Sequence, residues 1–361
     1  MYYQLNRESR ESAYMQIYRQ FREEIINGTL KPGAKLPSKR SLAAELGVSV
    51  ITVEHAYALL IDEGYALSKP RSGLYAAFGS GTASPSYRTA SLADMRAMPS
   101  GPDDFPFSVW AKTMRSVLSA YDRSILTACP GIGCASLREA LADYLQRSRN
   151  LSVSSEQIII GSGAEYLYSL VVQLLGTGCI IALENPSYQK IRLVYEANGA
   201  CCESLTMGSG GIVSSELAAS SAGALHVTPF HSFPSGITAT AAKRHEYAAW
   251  AEEHNSIIIE DDYDSEFASL SRQIDTIFSI APERVIYINT FSKLLAPAIR
   301  TGFMILPQQL LKTYHQKLGF YSCTVPVFDQ LVLAEFIEEG HMERYINRRK
   351  RKLRQNIKKP Q

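Results

Sequence analysis

No apolar run in this 361-residue chain approaches the ~20 residues that a membrane-spanning helix needs. The longest apolar stretch, IIIGSGAEYLYSLVVQLL, is interrupted by Gly, Ser and Glu, so no membrane partner is expected. The first residues, MYYQLNRESRESAY, lack a basic flank leading into an apolar segment, so no secretory signal is expected. Cysteine is sparse. Six residues, at 129, 134, 179, 201, 202 and 323, form no CxxC pair and no His/Cys metal-ligand spacing. They read as reduced thiols of a cytoplasmic protein without a metal site. No internal repeat of fixed period is present. Net charge is small as well: 37 basic side chains stand against 35 acidic ones, with 46% apolar content. That balance argues against a disordered or fibrous chain, and the length suits two domains.

The small net charge hides an uneven distribution. Residues 1–80 carry 10 basic and 8 acidic side chains, and residues 341–361 carry 9 and 1. The 260 residues between them therefore hold 18 basic and 26 acidic, a net of −8. GSGTASPS at 79–86 is too polar and unpatterned for a core and reads as a flexible linker. The expected division is a first domain at 1–78, a linker at 79–91 and a second domain at 92–361.

In the first domain, Tyr14, Ile17, Tyr18, Phe21 and Ile25 fall on one face of a helix over 12–27, with Gly28 as its stop. In LPSKRSLAAELGVSVITVEHAYALLIDEGY, Ser38 can cap a short helix to Leu46, Gly47 can turn the chain, and Ser49 can cap a second helix ending near Gly64. Two helices joined by a three-residue turn make a helix-turn-helix. Leu42, Leu46, Val48, Val53, Ala56, Tyr57 and Leu60 are expected inside, leaving Arg40, Ser49, Thr52 and His55 for a DNA major groove. YALSKPRSGLYAAF then alternates as a two-stranded wing does, with Arg71 and Gly73 at its tip. The segment resembles the DNA-binding domain of the GntR family, most specifically in LPSKRSLAAELGVS and EGYALSKPRSGLY. It departs from that family at Val50, where an arginine usually follows the Ser, and at Ile51, where a polar residue is usual.

The second domain carries a different chemistry. YINTFSKLLAPAIRTGFMIL places Lys293 after a β-rich run and Arg300 seven residues beyond it. An imine-forming lysine needs a neutral amine in a desolvated or cationic setting. Arg300, with the hydroxyls of Thr290 and Ser292, can bind a phosphate by charge-assisted hydrogen bonds. HNSIIIEDDYDSEF reads as a buried strand ending in carboxylates, with Asp261 and Tyr263 on one face. A carboxylate that keeps a pyridine nitrogen protonated, beside a phenol, is what pyridoxal phosphate requires as an electron sink. GSGAEYLYSLVVQLL opens a helix whose first-turn amides can hold phosphate, and ENPSYQKI puts Tyr188 on a loop where its ring can stack. Taken singly, the lysine also reads as solvated, EDDYD as an exposed loop or divalent-metal site, and GSGAE as a common strand-to-helix turn.

Their order and spacing are distinctive. With PSGPDDFPFSVW, EDDYDSEF, HSFPSG and TFSKLLAPAIRTG, residues 98–357 resemble class I aminotransferases, and the whole chain resembles the MocR-type GntR regulators. That resemblance implies a winged helix-turn-helix (α+β) joined to a fold type I α/β domain with a mixed, mostly parallel sheet. It makes Lys293 the Schiff-base lysine and Asp261 the pyridinium partner. It places Tyr263 on the ring oxygen, Tyr188 on the ring face, and Arg300, Thr290 and Ser292 on the phosphate with the amides of Ala164 and Glu165. His231 falls at the family's His of HxFPxG, a pocket position. Glu165 replaces a common Gln, bringing a carboxylate toward the phosphate, and Phe233 stands where aminotransferases have Asn.

The resemblance implies a homodimeric, cytoplasmic regulator that binds operator DNA and senses pyridoxal phosphate, or its adduct with a small amino compound. Relatives continue for roughly a hundred residues past this C-terminus, so the small subdomain and its carboxylate-binding arginine are expected to be missing. Two other readings follow: an aminotransferase with an appended DNA-binding domain, capable of at most partial transamination, and a truncated inactive member. RRKRKLRQNIKKPQ is expected to be a frayed basic helix or an accessory DNA-contacting tail.

Overall fold

A computed structural model describes residues 5, 12–63, 65–69, 72–77, 105–263, 265–268 and 275–357. The chain separates into two compact units, Met1–Ser86 with Ala239–Glu246, and Tyr87–Thr238 with Tyr247–Gln361. The expected linker, Gly64 and Arg71 lie outside the described residues.

The first unit holds helices α1 (Ala13–Ile26), α2 (Lys39–Leu46) and α3 (Val50–Asp62), then strands β1 (Ala66–Lys69) and β2 (Gly73–Ala76). Ser38 and Ser49 cap α2 and α3 as their sequence positions suggest, each accepting at 3.1 Å from the amide three residues on. Gly47 closes α2 at φ +64°, a left-handed conformation that glycine adopts without a Cβ clash. The buried faces of the three helices meet in one core of Ile17, Tyr18, Phe21, Ile25, Leu42, Val53, Tyr57 and Leu60. Deeper polar contacts orient the helices: the Tyr18 hydroxyl donates to Glu63 at 2.6 Å, and the Tyr57 hydroxyl to the Pro37 carbonyl at 2.9 Å. β1 and β2 pair antiparallel, Ala66 against Ala76 and Lys69 against Gly73, forming the wing. Ala241, distant in sequence, joins this core, which periodicity in the first 80 residues has no means of showing.

The second unit is built on an eight-stranded sheet. In chain order its strands are β3 (Ile158–Gly161), β4 (Ile180–Asn185), β5 (Cys201–Gly208), β6 (Gly211–Ile212), β7 (Ala224–Val227), β8 (Ile257–Asp261), β9 (Val285–Thr290) and β10 (Gly302–Ile305). Their spatial order is β3-β10-β9-β8-β7-β4-β5-β6. β9, β8, β7, β4 and β5 run parallel, whereas β10 is antiparallel to both neighbours and β6 to β5. β3, β7, β8, β9 and β10 are buried along their whole length, which explains why they read as continuous Ile/Val/Leu runs rather than alternating ones. Helices such as Ala164–Leu175 and Gln308–Leu318 cover this sheet, packing Leu167, Val171, Leu174, Tyr314 and Leu318 onto Ile159, Ile286, Ile288 and Met304. Parallel strands joined by helical crossovers deliver their carboxyl ends, and the loops that follow, to one edge. That edge collects chemistry from six strand ends.

The basic C-terminal segment continues a helix that begins before it, and its last residues, 358–361, lie outside the described ones. His341–Ile357 is a 17-residue helix, and Met342, Tyr345 and Ile346 are buried. Arg349 donates to the Leu294 carbonyl at 3.2 Å and lies over the Phe267 ring, its guanidinium carbon 4.4 Å from the centroid. The apolar stripe at i, i+3, i+4 was obscured in sequence by the surrounding arginines and lysines, whose stems cover apolar surface while the charges stay outside.

Candidate functional site

The site grows from the ends of the strands. β8 delivers Asp261 as its last residue, β9 delivers Thr290, and the short helix Phe291–Leu294 carries Ser292 and Lys293 directly after it. β3 ends at Gly161, and the turn through Ser162 and Gly163 opens the helix that begins with Ala164 and Glu165. β4 leads to Tyr188 and β7 to His231, while Arg300 precedes β10. Because β10 runs antiparallel, its beginning lies at the same edge: Gly302 pairs with Thr290 on one side and Gly161 on the other. Every second-domain residue proposed from the sequence thus reaches one edge of one sheet.

Asp261 is the electrostatic centre. It is only 5% exposed, and its Oδ1 has no hydrogen-bond partner among the described residues. Its Oδ2 accepts from the Tyr168 hydroxyl, whose helix follows the glycine turn. Burial pushes the Asp261 carboxyl up to about 7, against the lowering effect of Tyr168, while Asp262 and Glu184 push it up further and Lys293 draws it down. His226 Nε2 lies 4.0 Å from Oδ2, but burial lowers its pKa to about 3. At neutral pH the pair is a neutral imidazole beside a carboxyl group, so His226 does not neutralise it. Its Nδ1 shares a 2.8 Å hydrogen bond with Tyr195. The neighbouring carboxylates are already engaged. Asp262 takes Arg149 at 2.6 Å and the Tyr287 hydroxyl at 2.6 Å, and Glu260 accepts from the amides of Ile277 and Phe278 at 2.9 and 2.7 Å. EDDYD is therefore no exposed loop: each of its first three carboxylates is buried and differently used.

Tyr263 lies just past the strand, since β8 ends at Asp261. The Lys293 Nζ sits 4.2 Å from the Tyr263 ring centroid, and the Tyr263 hydroxyl donates to the His231 carbonyl at 2.5 Å. Ser292 donates to the Ile299 carbonyl at 3.0 Å, tying the lysine turn to the Arg300 loop. Gly163 has φ +95°, and a Cβ there would stand 3.0 Å from an Arg300 guanidinium nitrogen. The positive φ favours glycine here, and its missing Cβ leaves the half-exposed guanidinium room against the turn. Glu165 accepts from Lys190 at 2.7 Å and its other oxygen lies 3.8 Å from Arg300, with Lys190 the larger cause of its lowered pKa. Tyr188, 41% exposed, meets Phe233 edge-on at 6.1 Å.

In the first unit, Arg40, Ser49, His55 and Gly73 are exposed and Thr52 half-exposed. The Ser49 and Thr52 hydroxyls bond each other at 2.8 Å, and Lys39 pairs with Glu54 at 2.5 Å. Among the described residues, no group of His, Cys, Asp and Glu is arranged to hold a metal, and no helix is long and apolar enough to cross a membrane.

Comparison with known proteins follows the same division. Residues 13–75 match bacterial regulatory proteins of the gntR family, and residues 99–359 match aminotransferase class I and II. The chain is 36% identical over 357 residues to the uncharacterized HTH-type transcriptional regulator YdeL of Bacillus subtilis, covering 95% of this chain and 77% of that one. It is 30% identical over 364 residues to the HTH-type pyridoxine biosynthesis transcriptional regulator PdxR of Corynebacterium glutamicum, covering 96% and 78%. The probable rhizopine catabolism regulatory protein MocR of Rhizobium meliloti is 29% identical, covering 96% and 76%. This chain is a MocR-type regulator of the GntR family. An archaeal alanine:glyoxylate aminotransferase superimposes with a TM-score of 0.60 at 27% identity, over 68% of this chain and 63% of its own. The MocR-type regulator is accordingly a DNA-binding transcriptional regulator whose second unit has the fold of a pyridoxal-phosphate-binding family.

Several residues of this regulator's site escaped the sequence reading. Tyr168 and His226 stand against Asp261 and Lys190 against Glu165, with Tyr195 holding His226 and Arg149 holding the adjacent Asp262, yet each looks like an ordinary core or surface side chain in its own segment. Thr324 is another, accepting from the Ser162 amide of the glycine turn at 3.2 Å. Tyr168 alone had a signal, lying one helical turn after Ala164, the first helical residue past the turn.

The position of Glu165 leads to a measurable effect. Its carboxylate would compete with a phosphate held by Arg300, but the pair is exposed and screened. Glu165→Gln in the MocR-type regulator should therefore tighten pyridoxal phosphate binding only about threefold, well under 1 kcal/mol. Equilibrium titration of both proteins at one salt concentration measures it; weaker binding by the variant contradicts the assignment.

Proposed function

We propose that this regulator holds pyridoxal phosphate at the carboxyl edge of its sheet, and that the cofactor, alone or joined to an amino compound, sets how the winged helix engages operator DNA. The observation that carries the reading is the buried, unpartnered Oδ1 of Asp261 beside Lys293. A buried carboxyl oxygen without a donor is costly, and a pyridinium N–H is a donor that would satisfy it. The residues present fit the group on a second count, because Gly163 and Arg300 form a cradle that a Cβ would fill.

Lys293 would supply the amine for the cofactor's aldehyde. Arg300, Thr290, Ser292 and the amides of Ala164 and Glu165 would take the phosphate. The first-turn amides of an α-helix have no partner within the helix and favour an anion. Tyr263 would meet the ring oxygen and Tyr188 the ring face, with His231 lining the pocket. When bound, the cofactor offers an electrophilic aldehyde and an electron-withdrawing ring to amines. Tyr168 fixes the Asp261 carboxyl, the neutral His226 leaves its charge for the ring nitrogen, and Arg349 steadies the lysine turn through Leu294.

For DNA binding to respond, the cofactor must prefer one of two arrangements of the regulator. A homodimer presenting two winged helices to paired half-sites is the assembly we propose, in keeping with the DNA-binding function of the family. The test is a band-shift titration of the DNA flanking the gene, with and without pyridoxal phosphate. A change in affinity or in complex mobility is expected; identical titrations contradict the sensing role.

A further inference from the structure

The DNA-reading helix of this regulator has an unusual surface. α3 exposes Val50, Ile51, Glu54, His55 and Ala58, while Val53, Ala56, Tyr57 and Leu60 face the core. Val50 is 42% and Ile51 64% exposed, an apolar pair on the first turn, where such helices approach base edges. The whole of α3, VITVEHAYALLID, contains no Arg, Lys, Asn or Gln. Those four supply the bidentate contacts to guanine and adenine. Most polar groups nearby are engaged: Ser49 and Thr52 bond each other, Ser49 caps the helix, and Glu54 is held by Lys39, while the exposed His55 ring meets Tyr14 edge-on at 6.0 Å. The neighbouring positive charge of Arg40, at the start of α2, is exposed and suited to phosphates, which fix position without reading sequence.

We infer that Val50 and Ile51 read thymine through its C5-methyl group, so that the half-site facing α3 is specified by thymines and not by a guanine. Such a methyl is the one apolar mark in the major groove, and an exposed aliphatic pair is its complement. Two exposed aliphatic side chains on a water-facing turn gain burial only when that groove covers them. The inference rests on the DNA-binding function of this domain and is independent of the cofactor.

The experiment uses the full-length protein and a randomised duplex library, followed by anisotropy titration of the selected duplex at fixed salt. Selected half-sites should share thymines opposite α3. Replacing those thymines with uracil, which deletes only the methyl, should weaken binding about fourfold per contacted base, the equivalent of one buried methylene. Val50→Ala with Ile51→Ala should weaken binding to the thymine duplex and become indifferent to uracil. Both side chains are exposed, so the fold is not at stake, and unchanged winged-helix signals in circular dichroism confirm it. Val50→Arg should move the preference toward guanine. Selected sites with a fixed guanine opposite α3, binding unaffected by uracil, or an equal uracil effect in the double alanine variant would each overturn the inference. Failure to recover any preferred sequence would overturn it too.

Discussion

Lys293→Ala is expected to abolish the visible absorbance that pyridoxal phosphate develops on the protein, and with it any effect of the cofactor on DNA binding. The loss should be at least a hundredfold in cofactor affinity, about 2.7 kcal/mol, because a covalent attachment is replaced by ion and hydrogen-bond contacts alone. Lys190 is the informative control. It too lies at the carboxyl edge, but Glu165 holds it at 2.7 Å and raises its pKa, so it stays an ammonium and a poor nucleophile. Lys190→Ala should retain the band. Spectrophotometric titration of the two variants, with circular dichroism to confirm folding, makes the comparison. A band that survives in Lys293→Ala removes that lysine from the site.

The second large effect concerns Asp261. Asp261→Asn should weaken pyridoxal phosphate binding by more than tenfold, since a neutral amide does not hold a protonated ring nitrogen. The same change should alter stability in the opposite sense. Burial raises the Asp261 pKa to about 7, so the folded, cofactor-free protein binds a proton that the unfolded chain has released. Stability from this group is present below the ordinary carboxylate range and is lost as pH rises through about 7. Each pK unit corresponds to about 1.4 kcal/mol, so the loss is on the order of a few kcal/mol. Glu260, raised by burial to about 8, has the same sign and remains in the variant. His226, lowered to about 3, contributes the opposite slope in both proteins, so the expected result is comparative: in urea unfolding of cofactor-stripped protein between pH 4 and 8, stability should fall less with rising pH in Asp261→Asn than in the wild type. A steeper decline in the variant contradicts the sign. Cofactor binding should flatten the wild-type curve, because it gives the carboxylate its partner.

Much of this arrangement was legible in the chain because it depends on local rules. Ser38, Gly47 and Ser49 punctuate the helix-turn-helix through caps and a left-handed turn, which act over three or four residues. Lys293, Arg300, Asp261 and the GSGAE turn were separable from background only as an ordered set: Asp261 ends a strand, Lys293 and the glycine turn follow strands, and Arg300 precedes the antiparallel one, so all four meet at one edge. What escaped was non-local. The hydroxyl of Tyr168 meets a carboxylate 93 positions away, and Arg149 reaches Asp262 across 113. Neither pairing leaves a periodic trace. The C-terminal helix starts ahead of the basic run, and Met342, Tyr345 and Ile346, which lie outside that run, carry its packing. Strand alternation puts Tyr263 on the face of Asp261, whereas the strand stops at Asp261 and a bend sets the Tyr263 ring 4.2 Å from the Lys293 amine.

The decisive point is which amine takes the cofactor's carbon. Full-length protein saturated with pyridoxal phosphate, reduced with borohydride and digested, should yield one modified peptide, with the added mass on Lys293. A modification on Lys190 or a scatter across surface lysines, or a protein that takes up no mass at saturation, would contradict it.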